Sequence, residues 1–542
     1  SVICDDSLFE SRLDNGSLSH LQYLKSLIIE NCKLPDLKSS ALLGLDQLKN
    51  LTIRTHNNDW GSFSLELTQD SLQHLKHLEH LDLGFNNMAQ LPQDLFCSLS
   101  TLKALNLTNN RLSGFGSFGL IDPSTGQLCL QELQRLDLSY NHITFLSETG
   151  VASLKNLHSL YLENNRITEI AELSLSALAK LSVIDLSNNN LMTIASKTFR
   201  ESEKLKELYL RNNSLTQIRP GLFKGLSKLV ILDLSYNEIS SEWMTTETFA
   251  DLIRCVVLDL GHNRIKTINS SQIFQNQYSL QILNLNNNEI DQIGDNLFLT
   301  LYNLHTLVLS GNRLKQINEF TFNGLFVLSK LSLAENEIST IHDNVFINCS
   351  NLQDLYLQGN IMNKVPKAIL KLRFLKTLDL SNNEIFDINN SSFTGLQSLR
   401  VLNLTRNEIT NITRGTLKEL PSLRLLDLSE NRITNLEHGL FDDAPALNGI
   451  NLQGNLLSDI NGLFMNLNHL TFLNVSRNRI TWFDYALIPR NLIQLDIHHN
   501  QIEALGNYFE LESSLKLTHM DVSHNEIKEI HAALIPNRIE WL

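Results

Sequence analysis

Proline is scarce in this chain, and long apolar runs are missing from it. With only 9 Pro in 542 residues and no Gly/Pro/Ser-rich stretch, the sequence offers no linker between the three or four globular domains that its length alone would suggest. No run reaches the roughly 18 apolar residues that a membrane-spanning helix requires. The first residues lack a basic segment followed by an apolar one, so we expect no signal peptide within the chain.

Positive charge is also in short supply. The 44 Lys and Arg residues stand against 58 Asp and Glu residues, which gives a formal net charge of -14. Such a surface disfavours nucleic acid and anionic membrane surfaces as main partners. The motifs GxxxxGK[ST], HExxH, GxSxG and CxxC are absent. We therefore predict that the chain is not an enzyme and holds no cofactor or metal.

What the chain has in abundance is a repeat of the form LxxLxLxxNxL, usually 24 residues long. Such self-similarity is typical of solenoid proteins. Two early units place Cys32 and His56 where the others have Asn, so we count about 21 repeats. The aligned residues are Asn86, Asn110, Asn141, Asn165, Asn189, Asn213, Asn237, Asn263, Asn288, Asn312, Asn336, Asn360, Asn383, Asn407, Asn431, Asn455, Asn478, Asn500 and Asn525.

The Asn has a physical reason. The two Leu of "LxL" point inward from a short strand, and the residue between them points outward. The chain must then turn through the interior, where backbone N–H and C=O groups need partners. An Asn amide both donates and accepts hydrogen bonds, so it can satisfy the turn and the neighbouring repeat together.

A second periodic position lies about ten residues after each Asn, and we expect it to form a buried spine. Leu175 and Leu417 replace Phe in two repeats. The Phe residues are Phe96, Phe199, Phe223, Phe249, Phe274, Phe298, Phe322, Phe346, Phe393, Phe441 and Phe464.

The predicted fold class is therefore α/β, a leucine-rich-repeat solenoid. We expect a right-handed curved superhelix with a parallel β-sheet on the concave face, and loops and short helical pieces on the convex face. Residues 1–23 are expected to form part of an N-terminal cap. Residues 24–542 are expected to form the solenoid, truncated at its C-terminal end.

Two insertions interrupt the repeat, at residues 57–73 and 113–131. Both contain large apolar side chains, which we consider candidates for ligand contact. Local packing of these side chains is the alternative. The candidates are Trp60, Phe63, Phe115, Phe118 and Ile121.

The six cysteines divide by position. Cys97 and Cys129 border the second insertion, and a bridge between them would contribute roughly 3–4 kcal/mol. Cys4 pairs either with Cys32, at a Cα separation near 5 Å, or with a residue upstream of this chain. The remaining two, Cys255 and Cys349, occupy core positions and are expected to be free thiols.

Eleven Asn-x-Ser/Thr sequons, together with the disulfide candidates, favour a secreted or cell-surface protein. Three of them, Asn106, Asn403 and Asn474, lie at outward strand positions, where glycans would cover part of the concave face. The full set is Asn15, Asn50, Asn106, Asn212, Asn269, Asn348, Asn389, Asn390, Asn403, Asn411 and Asn474.

The histidines and the outward acids are further candidate sites. The spacing of "HLKHLEHL", residues 74–81, does not place its histidines on one helical face, so we expect them to be solvated. His499 and His524 precede the Asn of adjacent repeats and should stack, which would disfavour their joint protonation. A pH switch there is a less favoured alternative. The outward Asp residues are expected to form an ordinary solvated face.

Several stretches are more specific than the repeat. The segments "LTIRTHNNDWGSFSLEL", "FNGLFVLSKLSL", "WFDYALIPRNLIQLDIHHNQIEALGNYFEL" and "IPNRIEWL" resemble the extracellular region of the long Toll receptors of insects. The resemblance covers the whole chain, including both insertions and the Cys97/Cys129 pair.

This resemblance implies a single-pass type I receptor at the cell membrane, of which the chain would be an ectodomain segment. Membrane attachment would come only from a helix absent from this fragment. The implied partners are a cystine-knot cytokine of the Spätzle type or another cell-surface receptor, with a receptor dimer as a further implication. An adhesion protein that recognises the same or a related receptor on another cell is the alternative function.

Overall fold

The computed structural model describes residues 1–4, 10–56, 63–114, 129–148 and 151–542. The described chain divides into two compact units. The first comprises Ser1–Ile265 and Gln272–Leu280, and the second comprises Lys266–Ser271 and Gln281–Leu542. Each unit is a stack of repeats that contribute one short strand apiece to a parallel sheet, so the predicted leucine-rich-repeat solenoid is confirmed.

The first unit contains a parallel sheet whose strands pair in register, for example Leu208 with Leu232. Two smaller parallel pairs lie outside that sheet, Asp36–Leu37 with Glu66–Leu67 and Phe145–Leu146 with Glu169–Ile170. The strands of the main sheet are Val2–Ile3, Ser26–Glu30, Asn50–Arg54, His80–Asp82, Ala104–Asn106, Arg135–Asp137, Ser159–Tyr161, Val183–Asp185, Glu207–Tyr209, Ile231–Asp233 and Val257–Asp259.

The second unit repeats this plan, with Leu378 paired to Leu402 as a representative. Its main strands are Ile282–Asn284, Thr306–Val308, Lys330–Ser332, Asp354–Tyr356, Thr377–Asp379, Val401–Asn403, Leu425–Asp427, Gly449–Asn451, Phe472–Asn474, Gln494–Asp496 and His519–Asp521. Its outer pairs are Thr267–Ile268 with Gln292–Ile293, Gln316–Ile317 with Thr340–Ile341, Asn411–Ile412 with Asn435–Leu436, and Phe483–Asp484 with Leu505–Gly506.

Helical structure is limited to short 3-10 turns in the described ranges. They are Ser39–Leu42, Ser241–Trp243, Lys367–Lys371, Phe441–Asp443, Tyr485–Leu487 and Ala532–Leu534. None of the helices in these ranges has the length and apolar character needed to cross a bilayer. A repeat of 24 residues leaves room for little more than turns between one strand and the next.

The buried Asn residues work as the sequence predicts. The amide nitrogen of Asn237 donates to the carbonyls of Leu234 and Ser235 in its own turn, at 3.0 and 3.2 Å. It also donates to the Leu210 carbonyl of the preceding repeat at 2.9 Å, and its oxygen accepts from the Leu215 N–H at 3.0 Å. One side chain therefore closes its own turn and fastens it to the repeat before.

The predicted Phe spine is buried throughout. In the first unit Phe249 stacks between Phe223 and Phe274, with ring centroids 6.4 and 6.1 Å apart. In the second unit Phe322 and Phe346 stack at 5.9 Å, with an interplanar angle of 3°. Leu175 and Leu417 are buried at the same position in their repeats, so the spine is a core element and not a binding surface.

The expected place of His56 is confirmed by the strand register, since Leu51 pairs with Leu81 and His56 therefore aligns with Asn86. The Asn86 amide nitrogen accordingly donates to the Ile53 carbonyl, three residues before His56, as the buried Asn of other repeats does. What differs is the backbone, because the φ of 52° at His56 is the left-handed conformation that other repeats adopt one residue earlier. The His56 ring stacks on Phe85 at 4.9 Å, and the Thr55 N–H and hydroxyl both donate to the Asn86 amide oxygen.

The structure contains the disulfides Cys4–Cys32 and Cys97–Cys129, with Cα separations of 4.9 and 4.3 Å. The first joins the strand-side turn of the cap to the next repeat. The second joins the Phe spine region to the end of the second insertion. Cys255 and Cys349 are free and buried, and burial raises the pKa of each thiol to about 12, so both are poor nucleophiles at neutral pH.

Replacing Asn237 with Ala should lower the free energy of unfolding by roughly 1–3 kcal/mol, because buried backbone groups of two repeats lose their partner. Asn190→Ala removes an exposed amide and should change stability by less than about 0.5 kcal/mol. Urea denaturation of both variants checks the difference. Equal losses in the two variants would contradict the role assigned to the buried Asn.

Candidate functional site

Only one of the predicted contact residues of the insertions, Phe63, is among the residues that the structure describes. Trp60, Phe115, Phe118 and Ile121 lie outside the described residues. Phe63 is half-buried, the Lys33 ammonium lies 4.3 Å from its ring centroid, and an open groove of about 740 Å³ runs beside it. The Phe63 ring is thus in contact with Lys33 of the preceding repeat on one side, while another side of the ring lines the open groove.

The outward side of the first unit's sheet carries an alternation that the repeat itself does not require. The last residue of five successive strands alternates between carboxylate and phenol, and in-register pairing places each residue beside the next. Neighbouring strands are about 4.8 Å apart. We call this set the Asp–Tyr column, and it consists of Asp137, Tyr161, Asp185, Tyr209 and Asp233.

The aspartates of the column have a structural origin. One oxygen of Asp185 accepts the Ser187 N–H at 2.8 Å, and one oxygen of Asp233 accepts the Ser235 N–H at 2.9 Å. This side-chain hydrogen bond to the N–H two residues on is an Asx turn, and it lies where the strand ends and the chain turns inward. Asn403 does the same in the second unit, accepting from the Thr405 N–H at 3.1 Å. An oxygen acceptor at this position therefore stabilises the turn where it is present, and the negative charge of Asp is not required for that role.

That added charge is partly desolvated in the first unit. Burial, reinforced by the neighbouring carboxylates, raises the pKa of Asp185. Burial, and then the charge of Asp185, raises the pKa of Glu163, which lies one turn further on in its repeat. The Glu163 Oε2 atom is buried with no hydrogen-bond partner. A positive charge brought to this surface would stabilise the ionised form of both carboxylates.

The arginines that border the column are engaged with aromatic rings. Arg135 lies 4.3 Å from the Tyr161 ring centroid and donates to its hydroxyl at 3.2 Å; it also reaches Asp137 at 3.6 Å. Arg211 lies 4.2 Å from the Tyr236 ring centroid. Within the described part of the chain, Glu163 and Asp185 have no Lys, Arg or His within ion-pair distance.

The tyrosines complete the surface. The Tyr209 hydroxyl donates to Glu207 at 3.0 Å, and burial together with that carboxylate raises its pKa to about 12. Tyr236 stacks on His262 with ring centroids 3.8 Å apart. Rigid rings beside carboxylates suit the recognition of a protein surface, because they offer contact area at low entropic cost.

The outward Asp residues were expected to form a solvated face, and Tyr161, Glu163 and Tyr209 were not among the predicted site residues. The signal was available, because the alternation becomes visible when the outward positions of successive repeats are aligned. What the sequence does not contain is the degree of burial of Glu163 and Asp185. That burial depends on the rotamers of both neighbours.

The predicted stacking of His499 on His524 is present, with ring centroids 4.1 Å apart and an interplanar angle of 27°. Burial and then the neighbouring His524 lower the pKa of His499. Protonation of this ring is therefore disfavoured in the folded chain, as expected for adjacent imidazoles.

The sequons differ in how their amides are used. Asn474 is buried, its oxygen accepts from the Ser476 N–H and hydroxyl, and its nitrogen donates to Gln453 at 3.3 Å. Asn106 and Asn403 are half-buried in equivalent turns. By contrast, Asn15, Asn50, Asn212, Asn269, Asn389, Asn390 and Asn411 are exposed.

A family model described as leucine rich repeat matches residues 61–112, 155–213, 203–265, 256–314, 302–362, 373–433 and 422–480. Toll-like receptor 7 of Drosophila melanogaster is 46% identical over 540 residues, which cover 99% of this chain and 37% of that protein. The chain thus spans well under half of that relative's length. The resemblance to the repeat region of long insect Toll receptors is confirmed.

Solved structures show the same architecture. The Toll–Spätzle complex of Drosophila in its glycosylated form matches with a TM-score of 0.65 and 19% identity, covering 93% of this chain and 85% of that one. A TLR13–ssRNA13 complex matches with a TM-score of 0.62 and 24% identity, covering 95% and 77%. At these identities the likeness shows the fold alone.

Glycan occupancy should be far lower at Asn474 than at the exposed Asn411. In the folded chain the Asn474 nitrogen is buried and donates to Gln453, so a sugar on that nitrogen would displace Gln453 and need space that the buried side chain does not have. Mass spectrometry of glycopeptides from secreted protein checks both sites in one sample. High occupancy at Asn474 would show that this repeat has a different turn.

Proposed function

Since this chain belongs to the leucine-rich-repeat family, we propose that it is the ligand-binding ectodomain segment of a Toll-type receptor at the cell surface. Its 46% identity to a Toll-like receptor along nearly its whole length supports this. The disulfides Cys4–Cys32 and Cys97–Cys129 suit an oxidising, extracellular setting. The proposed activity is recognition, with the chemistry of signalling assigned to other parts of the receptor.

The Asp–Tyr column is the observation that carries the proposal. A solvated acid face would need no explanation, but here Glu163 and Asp185 are partly buried, have raised pKa values and lack a cation. Keeping such charges costs folding free energy. On a binding surface such carboxylates are favourable for the complex, because an incoming Lys or Arg meets acceptors that are already oriented and partly dehydrated.

The ligand is proposed to be a protein, with a Spätzle-like cystine-knot cytokine as the first candidate. The solved Toll–Spätzle complex has this fold, and the family resemblance points the same way. RNA is bound by the TLR13 of another matching structure, but a net charge of -14 and an acidic column disfavour a polyanion here. Another cell-surface receptor remains the second kind of protein partner.

Changing Asp185 to Asn should weaken ligand binding by roughly 10- to 150-fold, since a charge-assisted hydrogen bond contributes roughly 1.5–3 kcal/mol. The fold should tolerate the change, because Asn already accepts the same turn N–H at Asn403. Because the pKa of Asp185 is raised in the folded state, ionising this carboxyl costs more in the folded chain than in the unfolded chain. The folded state therefore becomes less stable as pH rises through that pKa. The variant should therefore be at least as stable as the parent at neutral pH.

Binding to immobilised Spätzle-type cytokines, measured by surface plasmon resonance, checks this prediction. Asp379→Asn is the matched control, since Asp379 makes the same turn to Ser381 in the second unit. Equal affinity for the parent and the Asp185 variant, with a loss in the control, would move the ligand site to the second unit. Binding of the chain to a second copy of itself, with none to cytokines, would favour the adhesion function.

The two insertions remain a separate proposed contact. If Trp60 or Phe118 is a buried anchor in the complex, its change to Ala should cost about 2 kcal/mol or more, a roughly thirtyfold loss of affinity. Tyr356→Ala, on the sheet of the second unit, is the comparison. Melting temperatures of all three variants separate lost contact from lost folding. Unchanged affinity in both insertion variants would leave the sheet face as the ligand site.

A further inference from the structure

A mixed cluster of acids and an imidazole lies on the sheet of the second unit, away from the Asp–Tyr column. Asp496 and Asp521 end neighbouring strands and pair in register. His498 follows two residues after Asp496, at the position that starts the turn. In the eight other described repeats with Asp at the strand end, that position is Ser or Gly. The imidazole is thus a departure from the repeat at a place where two carboxylates meet.

The three side chains converge on one point. The His498 Nδ1 atom lies 2.5 Å from Asp496 Oδ1 and 3.8 Å from Asp521 Oδ2. One ligand atom from each residue lies within 4.8 Å of the other two. Asp496 and His498 are half-buried, while Asp521 is exposed, so the cluster is held by the sheet and open to solvent on one side.

These distances suit a transition metal. Zinc bonds of about 2.0–2.1 Å in a tetrahedral arrangement place neighbouring ligand atoms roughly 3.3 Å apart. The two measured separations from His498, 2.5 and 3.8 Å, lie on either side of that value, so small side-chain rotations are enough. Two carboxylates and one imidazole form a ligand set that zinc accepts, with a fourth position left for water or another ligand.

We propose that Asp496, His498 and Asp521 form a binding site for a divalent transition metal, with zinc as the best fit. The metal would bind the Nδ1 lone pair of the neutral His498 imidazole, whose single N–H then lies on Nε2, so the step needs no net release of a proton. Backbone bonds already orient the acids, since Asp496 Oδ1 accepts the His498 N–H at 3.1 Å and Asp521 Oδ1 accepts the Ser523 N–H at 2.9 Å. Asp521 keeps Oδ2 for the metal, while Asp496 Oδ1 has further lone pairs and would bind the metal and keep its backbone hydrogen bond.

A second pair of metal-binding side chains lies beside the cluster. His499 and His524 stack beside the cluster at 4.1 Å, and His499 lies edge-on to His498 at 5.0 Å. An imidazole nitrogen binds a metal in the plane of its ring. In two stacked rings these planes are nearly parallel, so the lone pairs do not converge on one ion, and this pair is less suited to chelation than the triad. The experiment must nevertheless distinguish the pair from the triad.

The test uses tag-free, chelator-treated protein and isothermal titration with zinc chloride at neutral pH. We expect one zinc per chain, and at least tenfold weaker binding in His498→Ser and in Asp521→Asn. His498→Ser restores the residue that most other repeats have at this turn, so it should fold normally, and its melting temperature checks that. Asp427→Asn is the matched control, since Asp427 makes the same turn, to the Ser429 N–H, without an imidazole there, and it should leave zinc binding unchanged.

Two further measurements make the result decisive. Cobalt substitution should give visible absorption bands of a nitrogen- and oxygen-ligated ion in the parent chain but not in His498→Ser. A His499→Ser/His524→Ser double variant should retain zinc within about threefold of the parent. The proposal fails if the parent binds no zinc, if His498→Ser binds it as tightly as the parent, or if the double variant alone loses it.

Discussion

A polypeptide that turns repeatedly through its own interior must find partners for the backbone groups in those turns, and the buried Asn meets that constraint here. Each Asn side chain bonds carbonyls on its own turn, a carbonyl of the repeat before and an N–H of that repeat. The Leu and Phe positions provide the apolar contacts, but they do not specify a register by themselves. The amide does, because its four bonds are satisfied at only one offset between neighbouring repeats.

Once the register is set, the repeat does not constrain which residues occupy the outward positions of the strands. In-register pairing lines up equivalent residues about one strand spacing apart, so a side chain at one repeat always faces the same position of the next. Alternating Asp and Tyr in the first unit, and Asp beside Asp with His498 in the second, are two results of this freedom. Chemistry on such a surface is assembled across repeats and is rarely contained within one.

The parts of the structure that the repeat constrains were predictable. The strands, the buried Asn, the Phe spine and the 4.9 Å Cα separation of Cys4 and Cys32 all follow from the spacing of residues. His56 stands in register with Asn86 as expected, but its repeat adopts the left-handed backbone at His56 itself, one residue later than the other repeats, and the pattern did not indicate this shift. The burial of Glu163 and the convergence of His498 on Asp521 were not predictable, since both depend on rotamers chosen among outward side chains that the repeat leaves unconstrained.

The residue before each buried Asn has a left-handed backbone, with φ near +50 to +60°. For residues with a Cβ atom that conformation is strained by roughly 1–2 kcal/mol, and Asn tolerates it better than most. In the second unit three repeats use Gly there, at Gly311, Gly359 and Gly454, and avoid the strain. Bulky rings such as Tyr236 and His262 keep it, and their stacking offsets part of it. An aromatic ring at this position is thus energetically more costly than Gly, and the contacts that it makes with the ring of the next repeat are what it contributes in return.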